Sequence, residues 1–437
     1  MKRNILNKLI NWKNSQNRKP ILLKGARQVG KTYIIKEFGK TNFENVHYFD
    51  FMKNKKLCDS FLDTLNPDQI LLNLELQNKI KIDINKDLIV FDEIQECEKA
   101  ISSLKYFYET YPGAFIIGSG SFLGLSLGTS SFPVGKVEKL NLYPMSFFEF
   151  LEGIDNEKIL NLMTDGYVNN KISKVLHDEV LIYLKYYIIT GGLPEVVSTF
   201  HENSNDLQLA FAKVRELQKS LLFDYEADIS KHSGKSNAVK ILSVFNNVPL
   251  QLARENKQNK KFIFKNILPK NSNYSNLEDP ISWLTKAGLI HKISICKRAV
   301  EPLKAYTEEN RFNLFMFDIG ILGAMLDLDP ISIFKSTYKE YKGYIFENFV
   351  IQELVSSQKF DFYSWKEGTS EIEILARTES GITPIEVKSG LNTKAKSLKV
   401  FVEKYAPQKR YLLSPLNIKK CDSGMVFLPI YCASLIQ

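Results

Sequence analysis

An α/β fold built on a doubly wound parallel sheet is what this sequence predicts for its first 145 residues, and three stretches predict it. The stretch 19–32, KPILLKGARQVGKT, passes from the apolar run Ile21-Leu22-Leu23 through Gly25 to Gly30-Lys31-Thr32, and then into a helix-like run. The stretches 86–93 (KDLIVFDE) and 114–119 (AFIIGS) are continuous apolar runs ending in polar residues. That is the pattern of parallel strands covered on both faces. Strand, helix and strand alternate between them, which places any ligand at the carboxyl ends of the strands.

Residues 3–15 predict a short helix with Ile5, Leu6, Leu9, Ile10 and Trp12 on one stripe. The first strand then carries G-x-x-x-x-G-K-[ST] in its strand–turn–helix context. Glycines let backbone N–H groups approach phosphate oxygens, and the following helix adds its N-terminal dipole. The candidate nucleotide contacts are Gly25, Ala26, Arg27, Gln28, Val29, Gly30, Lys31, Thr32 and Tyr33. Among them, Lys31 reaches the β- and γ-phosphates and the Thr32 hydroxyl helps hold Mg²⁺. Residues 45–51 alternate as a second strand and 66–81 read as a helix. The third strand ends in Asp92-Glu93, a carboxylate for Mg²⁺ followed by one that can polarise an attacking water. The fourth ends in Ser119-Gly120-Ser121, where a hydroxyl would lie near the γ-phosphate; the choice between Ser119 and Ser121 stays open. Residues 136–143 alternate as a fifth strand.

The character changes after Pro144. Residues 145–152 and 181–189 are helix-like and aromatic, and Gly191-Gly192-Leu193-Pro194-Glu195 punctuates the chain. Residues 146–204 therefore read as a small helical subdomain. Helix-like stretches follow at 207–225, 236–245 and 276–287, the last with Pro280 near its first turn. Gly288 stops it, and 289–295 alternates as a strand. Three helices and a hairpin outline a winged helix over 205–318. Its third helix carries Glu278 and Asp279 against Lys286, a balance that suits protein packing as well as base reading. From 319 onward, an amphipathic helix at 343–354 has Glu347 at its centre. Strand-like runs follow at 362–365, 371–376 and 384–388, then a helix at 394–405. On period two, Glu386 and Lys388 share a face while Val387 points into the core. With Glu373 on a neighbouring strand, these are the parts of a metal-dependent phosphodiesterase site holding Mg²⁺ or Mn²⁺. On a surface strand the same E-x-K is a solvated ion pair.

With 437 residues, 44% hydrophobic and 24% charged, the chain has the composition of a soluble protein of two to four domains. No apolar run reaches membrane-spanning length, so no membrane partner is expected. The basic N-terminal stretch lacks the apolar segment of a signal peptide. Cys58, Cys97, Cys296, Cys421 and Cys432 are scattered singly, which suits a reducing, cytoplasmic setting and argues against structural zinc. Net charge is +9, and ten Lys and Arg precede the first carboxylate, Glu37. Basic patches at 254–270 and 388–410 are compatible with nucleic acid, and equally with a lysine-rich solvated surface.

Nine stretches, in order along nearly the whole chain, carry a family resemblance. They are GARQVGKT (25–32), LIVFDEIQ (88–95), FIIGSGSFL (115–123), NLYPMSFFEFL (141–151), GGLPEVV (191–197), WLTKAGLI (283–290), FMFDIGIL (315–322), GYIFENFVIQEL (343–354) and PIEVKSG (384–390). The chain resembles the prokaryotic AAA+-type P-loop ATPases that carry an uncharacterised C-terminal domain with a winged-helix part and a restriction-endonuclease-like part. The resemblance implies four segments. These are an ATPase core at 1–145, a helical lid at 146–204, a winged-helix domain at 205–318 and a nuclease-like α/β domain at 319–437. It implies ATP and Mg²⁺ as ligands, Lys31, Thr32, Asp92 and Glu93 as ATPase residues, and Ser119 as a sensor. Glu347, Glu373, Glu386 and Lys388 fall on the nuclease-like motif. A homo-oligomer is the habit of such relatives. The chain departs from the family at Lys136, where arginine is usual, and at Glu373, where aspartate is usual. An ammonium lacks the bidentate fork of a guanidinium, and one extra methylene displaces a metal ligand. Three functional readings stay open. The first is an ATPase coupling nucleotide state to DNA, RNA or a protein partner. The second is an ATP-gated, metal-dependent nuclease, and the third a non-catalytic binder switched by ATP.

Overall fold

The computed structural model describes residues 1–121, 133–254, 261–270, 272–335, 342–390, 395–420 and 424–437. Cys421, the end of the stretch 115–123 and parts of both basic patches lie outside the described residues. The chain divides into two compact units. One comprises 2–143 with 286–288, and the other Met1, 144–285 and 289–437. The stretches expected as lid and nuclease-like domains lie within the second, as does the expected winged-helix stretch apart from 286–288.

In the first unit, β1 (Ile21–Lys24), β2 (Val46–Asp50), β3 (Leu88–Asp92), β4 (Ile116–Gly120) and β5 (Glu138–Asn141) form one sheet in the order β2-β3-β4-β1-β5. Every pairing is parallel. Helices α1 (Ile5–Asn14), α2 (Lys31–Asn42), α3 (Asp59–Leu62), α4 (Pro67–Asn78) and α5 (Glu98–Thr110) surround it. β3 and β4 are buried along their whole length and β1 up to Lys24, which is why their sequences are apolar runs without alternation. Phe91 anchors one face, with its ring 5.6–6.2 Å from those of Phe49, Phe51, Phe61 and Phe107. Asn66 caps α4 by accepting from the N–H groups of Asp68 and Gln69, with Pro67 in the first turn. The sheet is the expected parallel α/β architecture.

The second unit joins a helical layer to a mixed sheet. Helices α6 (Phe147–Gly153), α7 (Glu157–Val168), α8 (Lys174–Thr190), α9 (Pro194–Glu202), α10 (Leu207–His232), α11 (Lys235–Arg254) and α12 (Tyr274–Ala287) precede the hairpin β6 (Ile290–Cys296) and β7 (Thr307–Met316). Then come α13 (Ile319–Met325), α14 (Pro330–Lys335), α15 (Lys342–Ser357), β8 (Phe362–Glu367), β9 (Ser370–Thr378), β10 (Gly381–Val387), α16 (Lys396–Tyr405), β11 (Arg410–Ser414), β12 (Lys419–Lys420) and β13 (Met425–Pro429). The eight strands form one sheet in the order β12-β13-β11-β10-β9-β8-β6-β7. The hairpin is therefore continuous with the terminal strands, because β6 pairs in parallel with β8 through Ile295–Ser364 and Cys296–Trp365.

Buried polar side chains knit this unit together. Glu353 on α15 accepts the N–H of Phe147 at 2.8 Å, at the start of α6. Ser146 and Glu149 form a capping box on the same helix. Tyr187 donates to the Met145 carbonyl at 2.5 Å, and Gln352 donates to Tyr187 at 2.8 Å while accepting the Ile319 N–H at 2.8 Å. Asn348 pairs with both backbone groups of Met316, at 2.8 and 3.0 Å. Asp318 caps α13 through the Ile321 N–H at 3.0 Å and also accepts the Gly192 N–H. Each partner removes an orphan backbone group from a helix or strand end.

Candidate functional site

The carboxyl ends of β1, β3 and β4 bring the phosphate-loop residues together with Asp92, Glu93, Ser119 and Ser121. Gly25 follows β1 directly, and a Cβ there would collide with the carbonyl oxygen of Leu142. Gln28 and Gly30 have positive φ, 65° and 93°, which folds the loop back over the start of α2. Val29 is fully buried, and its carbonyl accepts from Arg3 at 3.0 Å. The same guanidinium donates to the Tyr143 carbonyl at 2.7 Å, so Arg3, just ahead of α1, ties the loop to the segment following β5.

Lys31, only 7% exposed, donates to the carbonyls of Gly25 (2.9 Å) and Ala26 (2.8 Å) and to Ser121 Oγ (2.9 Å). Burial pushes its ammonium down to about 8, against the pull of Glu93 and Asp92. Arg27 lies close enough to oppose that pull, and Tyr33 is half-exposed on the first turn of α2. Sequence alone left Ser119 and Ser121 as alternatives; in the structure each has a separate partner. Ser119 donates to Asp92 Oδ1, while Ser121 receives Lys31.

Asp92 is buried at the centre of a ring of donors. Oδ2 accepts from Thr32 Oγ1 at 3.1 Å and from the Tyr48 hydroxyl, and Oδ1 accepts from Ser119 and from the Glu93 N–H at 3.1 Å. Parallel pairing sets this up, since Asp92 is in register with both Ser119 and Asp50. Tyr48 was not singled out from sequence; its only signal is its place two residues before the end of the strand beside β3. A buried carboxylate next to a threonine hydroxyl is a set of hard oxygen donors, which fits Mg²⁺. Glu93 follows in the left-handed region at φ 49°, and its Oε2 accepts from Gln95 Nε2 at 2.5 Å. Such an outlier is held in place by its surroundings and clusters at functional sites. Lys136 pairs with Glu109 at 3.1 Å and lies over the ring of Tyr108.

The C-terminal residues gather in part. Glu386 on β10 is 3% exposed, one residue from the end of the strand, and Lys388 Nζ donates to its Oε1. Its Oε2 is buried without an N–H or O–H donor, and the carboxyl of Glu373 lies against it. Burial first, and Glu373 next, push the Glu386 carboxyl well above the usual range, while Lys388 opposes them. An acceptor facing an acceptor calls for a proton or a cation between them, which is a fit for a metal ion. Glu347 is half-buried on α15, a helix that packs on β10. Among the described residues no three His, Cys, Asp or Glu converge as a metal cluster, so Glu347, Glu373 and Glu386 are not drawn into one. No helix among the described residues is long and apolar enough to cross a membrane.

Three family models match separate stretches of the chain. Residues 17–151 match the AAA domain family, 182–332 a domain of unknown function (DUF8612), and 342–433 another (DUF4143). An uncharacterized protein of Methanocaldococcus jannaschii is 26% identical over 253 residues, covering 57% of this chain and 50% of its own. A second from that organism is 29% identical over 191 residues, covering 40% of this chain and 38% of its own. The chain thus spans half or less of the curated relatives it matches. Among solved structures, a Walker-type ATPase of Pyrococcus abyssi covers 74% of this chain and 95% of its own at 15% identity and a TM-score of 0.44. The RuvB Holliday junction branch migration motor of Thermotoga maritima covers 67% and 90% at 14% identity and a TM-score of 0.33.

Proposed function

We propose that the protein, whose residues 17–151 match the AAA domain family, binds and hydrolyses ATP with Mg²⁺ and passes nucleotide state to a nucleic-acid or protein partner. The observation that carries this is the convergence of Thr32, Asp92, Glu93, Ser119 and Lys31 at one end of the sheet. The loop N–H groups and the Lys31 ammonium hold the β- and γ-phosphates, exchanging the carbonyls of Gly25 and Ala26 for phosphate oxygens. Thr32 and Asp92 hold Mg²⁺, which when bound neutralises charge on the phosphates. Ser119 and the Glu93 N–H fix the Asp92 carboxylate in orientation. Glu93 orients and polarises the attacking water, with Gln95 setting its rotamer. The partner reading rests on the net charge of +9. A winged helix built from α10, α11, α12 and the β6–β7 hairpin would supply the contact.

The test is ATP turnover by the full chain, with and without DNA or RNA, with the nucleic acid monitored for cleavage. Turnover lost in Lys31→Ala, and lost in Glu93→Gln with nucleotide binding retained, supports the reading. Wild-type turnover no greater than that of the variants overturns hydrolysis.

The buried Glu386 with Glu373 and Lys388 favours a second reading, a metal-dependent nuclease gated by the ATPase. Nicking that needs Mn²⁺ or Mg²⁺ and disappears in Glu386→Ala and Lys388→Ala supports it. Nicking that survives both changes sinks it. Binding that follows nucleotide state without any cleavage identifies the C-terminal part as a non-catalytic binder.

A further inference from the structure

We infer that Tyr48 governs access to the Mg²⁺ position, because its hydroxyl occupies the acceptor site on Asp92 that a metal-bound water needs. A carboxylate offers about four lone-pair positions. Those of Asp92 receive Thr32, Tyr48, Ser119 and the Glu93 N–H. Two of these donors are fixed, since the Ser119 hydroxyl is fully buried on β4 and the Glu93 N–H belongs to the chain following β3. Thr32 is a residue that would hold the ion. Tyr48 is the movable one: it is half-buried on β2, the edge strand, and its hydroxyl ends a long side chain.

Its position is specific. The Tyr48 hydroxyl donates to the same Asp92 oxygen, Oδ2, that accepts from Thr32, so it shares an acceptor with the other side chain that would hold the ion. The Lys36 ammonium sits 5.1 Å from the centre of its ring, on the helix that begins with Lys31 and Thr32. Asp92 Oδ2 already accepts from Thr32 and Tyr48, so a water held by a bound ion would have to displace the Tyr48 hydroxyl to donate there. Swinging it aside breaks a hydrogen bond to a charged acceptor, the stronger class of such bonds. Tyr48 therefore lowers the affinity for Mg²⁺ and links the ion's arrival to a movement of the β2 edge. It is a positioning residue, acting through Asp92.

The inference rests on the reading of this site as an Mg²⁺–nucleotide site, and the experiment separates the two. ADP affinity is measured for wild type and Tyr48→Phe, each with Mg²⁺ and with a chelator. Tyrosine ultraviolet difference spectra are recorded on adding Mg²⁺ to the ADP complex. The ratio of affinities with and without Mg²⁺ is expected to be about tenfold larger in Tyr48→Phe, the scale of one hydrogen bond to a charged group. The wild type should give a tyrosine difference band on Mg²⁺ addition that Tyr48→Phe lacks. A wild type that binds with clear Mg²⁺ dependence, but whose ratio is unchanged or smaller in Tyr48→Phe, overturns this inference alone. A wild type without Mg²⁺ dependence overturns the site reading and this inference together. Melting temperatures of both proteins confirm folding, and Tyr48→Leu provides a second hydroxyl-free variant if phenylalanine packs poorly.

Discussion

Gly192 donates its backbone N–H to Oδ2 of Asp318 at 2.7 Å, joining positions 126 apart in sequence. Asp318 is fully buried and also caps α13 through Ile321, and burial pushes its carboxyl up to about 6. Asp318→Ala removes a helix cap and strands a second buried N–H, for a loss of about 2–4 kcal/mol. The check is the urea midpoint, which should fall at constant slope. Gly192→Ala should be at least as damaging, since a Cβ there runs into the backbone of Met145.

Glu353 sets a pH dependence. Burial first, and then the charge of Glu149, push its carboxyl up to about 8, against the hydrogen bond from the Phe147 N–H. An unfolded glutamate titrates near 4.3. Between those values the folded chain holds a proton that the unfolded chain has released, so stability falls as pH rises. The expected result is a melting temperature that declines between about pH 5 and pH 8 more steeply in wild type than in Glu353→Gln. Parallel profiles would refute it.

Gly25→Ala tests the phosphate loop without touching a charged group. Its Cβ would strike the Leu142 carbonyl, so the loop must move off its seat. Nucleotide affinity should drop, because the loop N–H groups leave the positions from which they meet the phosphates. Circular dichroism should show the sheet retained, and titration with a fluorescent ADP analogue measures the loss.

The Glu373–Glu386 pair predicts a metal effect with a definite sign. A cation entering between them competes with the proton that the raised Glu386 carboxyl holds. Mn²⁺ should therefore raise the melting temperature more at pH 8 than at pH 6, and should have no effect on Glu386→Gln. An equal shift at both pH values would place the ion elsewhere.

The legible parts of this molecule were those written locally. Ile21-Leu22-Leu23 before Gly25, and Leu88-Ile89-Val90-Phe91 before Asp92-Glu93, announce buried parallel strands because both faces of such strands are apolar. The shared face of Glu386 and Lys388 followed from the period of a strand and holds in their ion pair. Their alternation did not reveal that Glu386 is as buried as Val387, because β10 is covered on both faces. Tyr48 and Arg3 could not be read at all, as each acts on a backbone or carboxylate brought near by the sheet. The stretches around Ser146, Gly192, Asp318 and Gln352 were recognisable as marks of a family. Their job, pairing with one another's backbone across the second unit, is set by tertiary contacts that no local pattern encodes.

The parallel pairing of Ile295 with Ser364 also sets an order of assembly. The β6–β7 hairpin can close as soon as it is made, but its inner edge has no partner until β8 has been synthesised. Contacts of such long sequence separation form late and slowly. During translation the unpaired edge of β6 is a strand template open to other chains. Ending the chain at 318 would make that exposure permanent, so the shorter product should aggregate rather than behave as a free-standing hairpin domain.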